Sequence, residues 1–359
     1  MFKNKQFISL TNRTTFEIHG IDLSLANGIR RTILTDIPTV GFLGEEEGED
    51  KPSLEIITNN GPLHNEILLH RFGLIPLFFS EEEIESFNDS DYIFSLNVSN
   101  NNQSILNVTT HDFKIYKNDI ELTEKEIHRI FPINDISKDP ILITRLRENE
   151  VLELTGNAII STARKHAGFS PVSLCTLHFK QDQNLASQKE NILDKERAFS
   201  RNEYGDPTVI IFEIETEMAL SAKYLVSKSF DILIAKLVKL VSEINIEPSE
   251  YISYELCEYD ENKGCMFTFE NEDDTLGNLL QSTMYNYYIR EKNNAINDNI
   301  VTYVGYICPH PLNTEMKLHI CFDKKEGTVI DYINTLTEHC KRLQTTIETI
   351  SSEWNNFMK

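Results

Sequence analysis

Phe16-Glu-Ile-His-Gly-Ile-Asp-Leu-Ser-Leu-Ala-Asn-Gly-Ile-Arg-Arg-Thr-Ile33 can be laid without a gap over Phe267-Thr-Phe-Glu-Asn-Glu-Asp-Asp-Thr-Leu-Gly-Asn-Leu-Leu-Gln-Ser-Thr-Met284. Phe16/Phe267, Asp22/Asp273, Leu25/Leu276, Asn27/Asn278 and Thr32/Thr283 are identical, and Ile18/Phe269, Ser24/Thr275, Ala26/Gly277, Ile29/Leu280 and Ile33/Met284 are conservative. Each copy reads as a strand followed by a helix. Asp22 or Ser24, and Asp273 or Thr275, can accept the free N–H groups of the first turn. Leu25, Ile29 and Ile33 then form one apolar stripe, repeated by Leu276, Leu280 and Met284. Pro38 ends the first helix from outside. One motif in each half implies two related subdomains paired by a pseudo-twofold, which points to a scaffold.

Working outward, 359 residues are enough for two or three cored domains. No apolar run reaches the roughly 20 residues of a membrane span, and Met1–Gln6 lacks the apolar core of a secretory signal. Six scattered cysteines include no Cys-x-x-Cys, so neither a zinc knuckle nor a disulfide framework is indicated. A soluble protein of a reducing compartment is expected. The net charge of −22, from 56 acids and 34 bases, opposes direct DNA binding, which draws its affinity from lysine and arginine on phosphate. Basic residues occur only as pairs, such as Arg30-Arg31 and Lys324-Lys325, and the acidic runs Glu45–Asp50 and Glu81–Glu83 read as solvated loops.

Two longer helices carry heptad-like seams. Phe230, Leu233, Leu237, Leu240 and Ile244 form one, and Val329, Ile333, Leu336, Cys340, Leu343, Ile347, Ile350 and Trp354 form the other. The second seam is longer than a small sheet needs, which predicts helix-on-helix packing between the halves. Short strands are expected at Tyr92–Val98, Ser104–Thr109, Lys114–Tyr116, Val151–Thr162 and Thr208–Ala219, a mobile loop over Gln181–Arg201, and a seam between the halves at Ile246–Tyr251 with Pro248. Val301–Ile307 and Glu315–Phe322 read as strands joined around Pro309-His310-Pro311. The expected fold is α+β. It has a first dimerisation subdomain of residues 1–43 plus 206–245, a mainly β insert of 44–205, and a second dimerisation domain of 246–359.

These residues resemble a known family. Asp22–Thr39 is similar to the signature of the alpha-like subunits of multi-subunit RNA polymerases. His64-Asn-Glu-Ile-Leu-Leu-His-Arg-Phe-Gly-Leu-Ile-Pro-Leu77, Ile143–Leu154 and Lys165-His-Ala-Gly-Phe-Ser-Pro171 resemble its further blocks. The second half resembles the small partner, the eleventh subunit of eukaryotic polymerase II, through Asp273–Leu280, Gly305–Leu312 and Glu353-Trp-Asn355. The two look fused, as in the single alpha-like subunit of the asfarvirus type of large DNA virus. Fusion makes the association intramolecular, at an effective concentration around millimolar.

The resemblance implies a non-catalytic assembly platform of a DNA-directed RNA polymerase. Its partners would be the two largest subunits, which carry the metal and the chemistry, and smaller subunits. DNA would be met only through the complex, with no membrane and no homodimer needed. Localisation to a cytoplasmic viral factory and the virion follows from the viral likeness. Two departures are visible. Ser80–Asp91 holds no cysteine where the eukaryotic third-largest subunit usually carries a zinc cluster, so no cofactor is expected, and nothing resembles the bacterial promoter-binding C-terminal domain.

Arg30 and Arg31 stand where the second copy has Gln281 and Ser282. Symmetry therefore does not require them, and a planar guanidinium suits carboxylate or carbonyl partners. They are assigned, with His70, Arg71, Gly73, Leu74, Pro76, Lys165, His166 and Pro171, to contacts with the large subunits. The bland alternative for the arginines is an ordinary surface pair. Pairing of the halves is assigned to Leu25, Ile29, Ile33, Leu237, Leu276, Leu280, Met284, Leu336, Leu343 and Ile347. His64 and His70 lie about 120° apart on a helix, a poor grip for one ion. Gly73 fits a left-handed helix cap, and Asn27 and Asn278 fit bonds to the preceding backbone turn. No nucleophile–base pair, phosphate loop or supported carboxylate pair stands out. A metal-dependent enzyme using His and acidic residues, and a stand-alone interaction adaptor, are the alternatives.

Overall fold

The computed structural model describes residues 1–359 except 45–50, 135–136, 247–248, 260–261, 296–298, 311 and 324–326. The expectations for Glu45–Asp50, Pro248, Pro311 and Lys324-Lys325 lie outside the described residues. Among the described residues, no helix is long and apolar enough to cross a membrane.

The chain runs β1 (Phe2–Ile8), β2 (Arg13–His19), α1 (Leu23–Thr35), β3 (Thr39–Gly41), β4 (Leu54–Asn59), α2 (Asn65–Gly73) and α3 (Glu81–Glu85). Next come β5 (Tyr92–Asn100), β6 (Leu106–Thr109), β7 (Lys114–Lys117), β8 (Ile120–Glu121), α4 (Glu124–Ile130), β9 (Leu142–Leu146), β10 (Glu150–Asn157) and β11 (Ile159–Ser161). After them are β12 (Val172–Phe179), α5 (Gln183–Ser187), α6 (Ile192–Glu196), β13 (Val209–Thr216) and α7 (Ala222–Glu243). The remainder is β14 (Ile252–Tyr259), β15 (Asn262–Glu270), α8 (Asp274–Met284) running into a π-helical turn at Tyr285–Arg290, β16 (Val301–Ile307), β17 (Glu315–Phe322) and α9 (Val329–Phe357).

Two compact units result: Met1–Ile33 with Cys175–Ile214 and Val226–Lys359, and Leu34–Leu174 with Glu215–Leu225. The first holds two four-stranded sheets, ordered β1-β2-β13-β12 and β14-β15-β17-β16. In each, two strands precede a helix, two follow it, the last strand lies inside the third, and a long helix comes next. The repeat read from one motif therefore extends over a whole unit of two strands, a helix, two strands and a long helix. Sheet one buries Phe16, Ile18, Ile210, Phe212 and Ile214, and sheet two buries Phe267, Phe269, Met316, Leu318 and Ile320. Alternation along each strand sends these to the face covered by helices, at roughly 1.5–3 kcal/mol for each large side chain removed from water.

The unit boundaries differ from those drawn on the sequence. The limits fall at 33/34 and 174/175, and β12, which lies in the stretch read as the insert, pairs with β13 in the first sheet. The expected loop at 181–201 contains α5 and α6. Asp182 caps the first through the N–H groups of Asn184 and Leu185, and Asn191 caps the second through Leu193.

The second unit is built on a five-stranded sheet, β4-β10-β5-β7-β8, with two-stranded pairs β11-β3 and β6-β9. Its core is aromatic: Phe42 meets Phe94 edge-on at 5.0 Å and Phe113 stacks on Phe131 at 5.4 Å. Asn118 and Asp119, at φ 49° and 63°, form the tight turn that joins β7 to β8 with the twist of the strands.

Candidate subunit-pairing and docking sites

The pairing site is built on the starts of α1 and α8. Asp22 caps α1, its Oδ1 accepting from the Ser24 N–H at 2.8 Å, and Asp273 caps α8 by accepting from the Thr275 N–H at 2.8 Å. Two residues before each cap the chain turns left-handed, at Gly20 (φ 68°) and Asn271 (φ 60°). The same two residues donate their N–H to the residue leading into the neighbouring strand, Thr208 and Thr314.

Each cap also receives a side chain from the other helix. Arg31 of α1 donates through Nε to the Thr275 hydroxyl at 2.8 Å and through Nη2 to Asp273 at 3.3 Å. Ser282, the counterpart of Arg31, donates to Asp22 at 3.2 Å, and the Asn286 amide donates to the same carboxylate. The first turn of each helix thus meets the last turns of the other, so the two run antiparallel. Residue i meets j and the counterpart of j meets the counterpart of i, the reciprocity of an isologous interface, here within one chain.

Further contacts tie the halves. Lys236 of α7 bridges Glu272 at 3.0 Å, a carboxylate that also accepts from Tyr251 of its own half at 3.0 Å. Arg290, ending the π-helical turn, pairs with Asp206 at 2.6 Å and lies over the Tyr204 ring. The last turns of α9 carry Trp354 onto Phe2 and Phe16, at centroid distances of 5.1 and 4.8 Å, and Asn355 meets Ser227 of α7. The first turns of α9 cover the second sheet, Tyr332 stacking on Phe322 at 4.2 Å. The surplus length of that seam therefore reaches the sheet of the other half as well as its helix.

Leu25, Ile29, Ile33, Leu237, Leu276, Leu280, Met284, Leu336, Leu343 and Ile347 are all buried. Arg31, which the sequence assigned to contacts with the large subunits, hydrogen-bonds within the chain to Thr275 and Asp273 and keeps about a third of its side chain exposed. Arg30 is half-buried and donates to Asn27 Oδ1 at 2.9 Å, so Asn27 serves a side chain where a backbone bond was expected. Gln281 accepts from the Tyr306 N–H at 3.1 Å. Both positions that distinguish the copies are used internally.

The other candidate residues lie in the second unit, and two blocks come together there. A Cβ on Gly168 would fall 1.8 Å from the Gly73 carbonyl oxygen, and one on Gly73 would fall 3.0 Å from the Gly44 nitrogen and 3.4 Å from His166 Cε1. Gly73 closes α2 and is absent from the left-handed residues, so its glycine is required by close approach and not as a left-handed cap. His166 Nδ1 accepts from the Gly168 N–H at 3.1 Å, and Thr39 donates to the Phe169 carbonyl at 2.7 Å. Around this joint His70, Arg71 and Leu74 are exposed, Pro76, Lys165 and His166 half-buried, and Gly73 and Pro171 buried. Gly73 and Pro171 shape the surface without presenting side chains to it.

Among the described residues, no three His, Cys, Asp or Glu side chains are grouped to hold a metal ion. His64 precedes α2 as an exposed cap without a side-chain bond.

The model of the RNA polymerase Rpb3/Rpb11 dimerisation domain matches residues 15–237, and a second model of the same description matches 264–353. The chain belongs to this family. The first match runs from β2 through α1 and β13 into α7, and the second from β15 through α8 and β17 into α9. Relatives include the DNA-directed RNA polymerases I and III subunit rpac1 of Dictyostelium discoideum, 25% identical over 54% of this chain and 56% of that one. Subunit 3 of the Arabidopsis thaliana polymerases II, IV and V is 28% identical over 46% and 53%. The Pyrococcus furiosus polymerase subunit Rpo3 is 24% identical over 64% and 92%. The chain spans little more than half the length of the first two.

Proposed function

We propose that this chain is a non-catalytic assembly platform of a multi-subunit DNA-directed RNA polymerase, pairing its own two dimerisation domains and docking the two largest subunits. The observation that carries the reading is the doubled sheet-and-helix unit with reciprocal caps, Arg31 on Asp273 and Ser282 on Asp22. An interface of this kind, met within one chain, leaves other faces open to further subunits. Docking is assigned to the joint of the second unit, through His70, Arg71, Leu74, Pro76, Lys165 and His166. Exposed apolar and basic side chains beside a glycine-packed backbone support that assignment. Catalysis and its metal belong to the large subunits, and no zinc is assigned to this chain: Ser80–Asp91 has no cysteine, and Ser80 and Glu83 there form the capping box of α3. The likeness of a fused chain to the asfarvirus type supports a viral polymerase of the cytoplasmic factory and virion.

The test is purification of the tagged full-length chain from expressing cells. The platform reading expects the two largest polymerase subunits in equal amount with it. Recovery of the chain without them contradicts the reading.

A further inference from the structure

Two shallow grooves, about 360 and 240 Å³, adjoin along α2 and β9 in the second unit. Their floor is apolar, formed by Leu63, Phe72, Ile75, Leu142 and Ile143, and Leu74 stands at the rim 53% exposed. Arg71 lies between the two grooves and donates through Nη2 to the Leu142 carbonyl at 2.8 Å, which fixes its guanidinium over the apolar floor. Arg145 lines the far groove, is exposed, and makes no ion pair among the described residues. No aspartate or glutamate lines either groove. The chain as a whole has 56 acids to 34 bases, so an apolar trough edged only by guanidinium groups is a departure from the rest of the surface.

Single exposed leucines need no explanation, but a continuous apolar depression does. Arginine is enriched at interface centres, where its planar fork binds carboxylates and its stem covers apolar surface. A nucleic acid would bring its phosphates to a chain of net charge −22. An acidic peptide meets the same long-range charge with far fewer negative groups, and its apolar side chains can also use the floor.

We propose that the α2/β9 groove docks an apolar segment of a partner subunit flanked by aspartate or glutamate, the apolar side chains lying on Leu142 and Ile143 and the carboxylates on Arg71 and Arg145. The proposal rests on the platform reading for the setting in which that partner is met. Like-charge exclusion at the two arginines would then select this segment against basic ones.

The experiment places the photo-crosslinker benzoylphenylalanine at Leu74 (Leu74→benzoylphenylalanine) in the tagged full-length chain purified with its partners. The same crosslinker at Ile120, 72% exposed in the same unit, is the control. Mapping by mass spectrometry is expected to give one partner segment with apolar residues flanked by at least two carboxylates, absent from the Ile120 sample. Arg145→Glu should lower that crosslink about tenfold, and Arg145→Lys should keep it within about twofold. Crosslinking no greater than at Ile120, capture of a neutral or basic segment or of nucleic acid, or indifference to Arg145→Glu overturns the proposal. Co-elution of the large subunits is scored separately in the same sample. Their absence beside a captured acidic segment would sink the platform and leave the groove assignment standing. Their presence with no Leu74 product would do the reverse.

Discussion

Arg31 Nη2 stands 3.3 Å from the carboxylate of Asp273, which caps the helix opposite, and Ser282 stands 3.2 Å from Asp22, the matching cap. An arginine and a serine at equivalent positions perform one task with different reach. In the first case one long side chain spans both the cap and Thr275. In the second a short hydroxyl needs Asn286, one turn further on, to complete the set.

Asp22 is a cap and a cross-half acceptor at once. Asp22→Ala should cost about 2 kcal/mol, from the lost cap and from the Ser282 and Asn286 donors left without their carboxylate. Asp22→Asn should recover part of it. Urea unfolding of the full chain measures both, and equal midpoints for the alanine variant and the parent would contradict the role.

Trp354, the single tryptophan, is fully buried and reports on the α9–sheet contact by its own emission. Phe2→Ala removes a ring 5.1 Å away. It is expected to shift the emission to the red and to destabilise by about 3 kcal/mol. An unmoved emission maximum would mean that α9 does not rest on the first sheet.

Gly168→Ala places a methyl 1.8 Å from the Gly73 carbonyl oxygen. Either α2 or the 165–171 segment must move, at about 1–3 kcal/mol. Hydrogen exchange should quicken in both segments and stay unchanged in α8. Unchanged protection of α2 would refute the joint.

Burial holds the His339 imidazole down to about 3, and Arg342 adds to the effect. Thr283 donates its hydroxyl hydrogen to the Leu279 carbonyl, so the 2.8 Å contact with His339 places the proton on a neutral ring's Nε2. An unfolded histidine titrates near 6.5. Between those values the unfolded chain binds the extra proton, and stability falls as pH drops below about 6.5, by on the order of 1–2 kcal/mol at pH 5. His339→Gln should flatten this limb in unfolding series from pH 7.5 to 5. The same slope in both proteins would contradict a neutral, buried ring.

The stripes and the aspartate caps were legible because a helix repeats its buried face every three to four residues and its first turn lacks acceptors. The strands β1, β12 and β14 were not. β1 buries Phe2 alone along its length, so alternation had nothing to show. The bond of Arg31 to Asp273 was not legible because the two are 242 residues apart, and local pattern carries no such information. Gly73 was read as a left-handed cap because that geometry and close backbone approach both select glycine. The approach of Gly168 to Gly73 joins distant stretches of the chain, and local pattern does not carry it.

The pairing of the halves through Arg31 is tested most directly by the thermal midpoint of the full chain carrying Arg31→Glu. The account predicts a fall of about 3–6 °C, since two carboxylates would face each other at the α8 cap, and recovery of most of it when Asp273→Arg is added. An unchanged midpoint for Arg31→Glu, with large-subunit recruitment lost, would contradict the account and return Arg31 to the outward face.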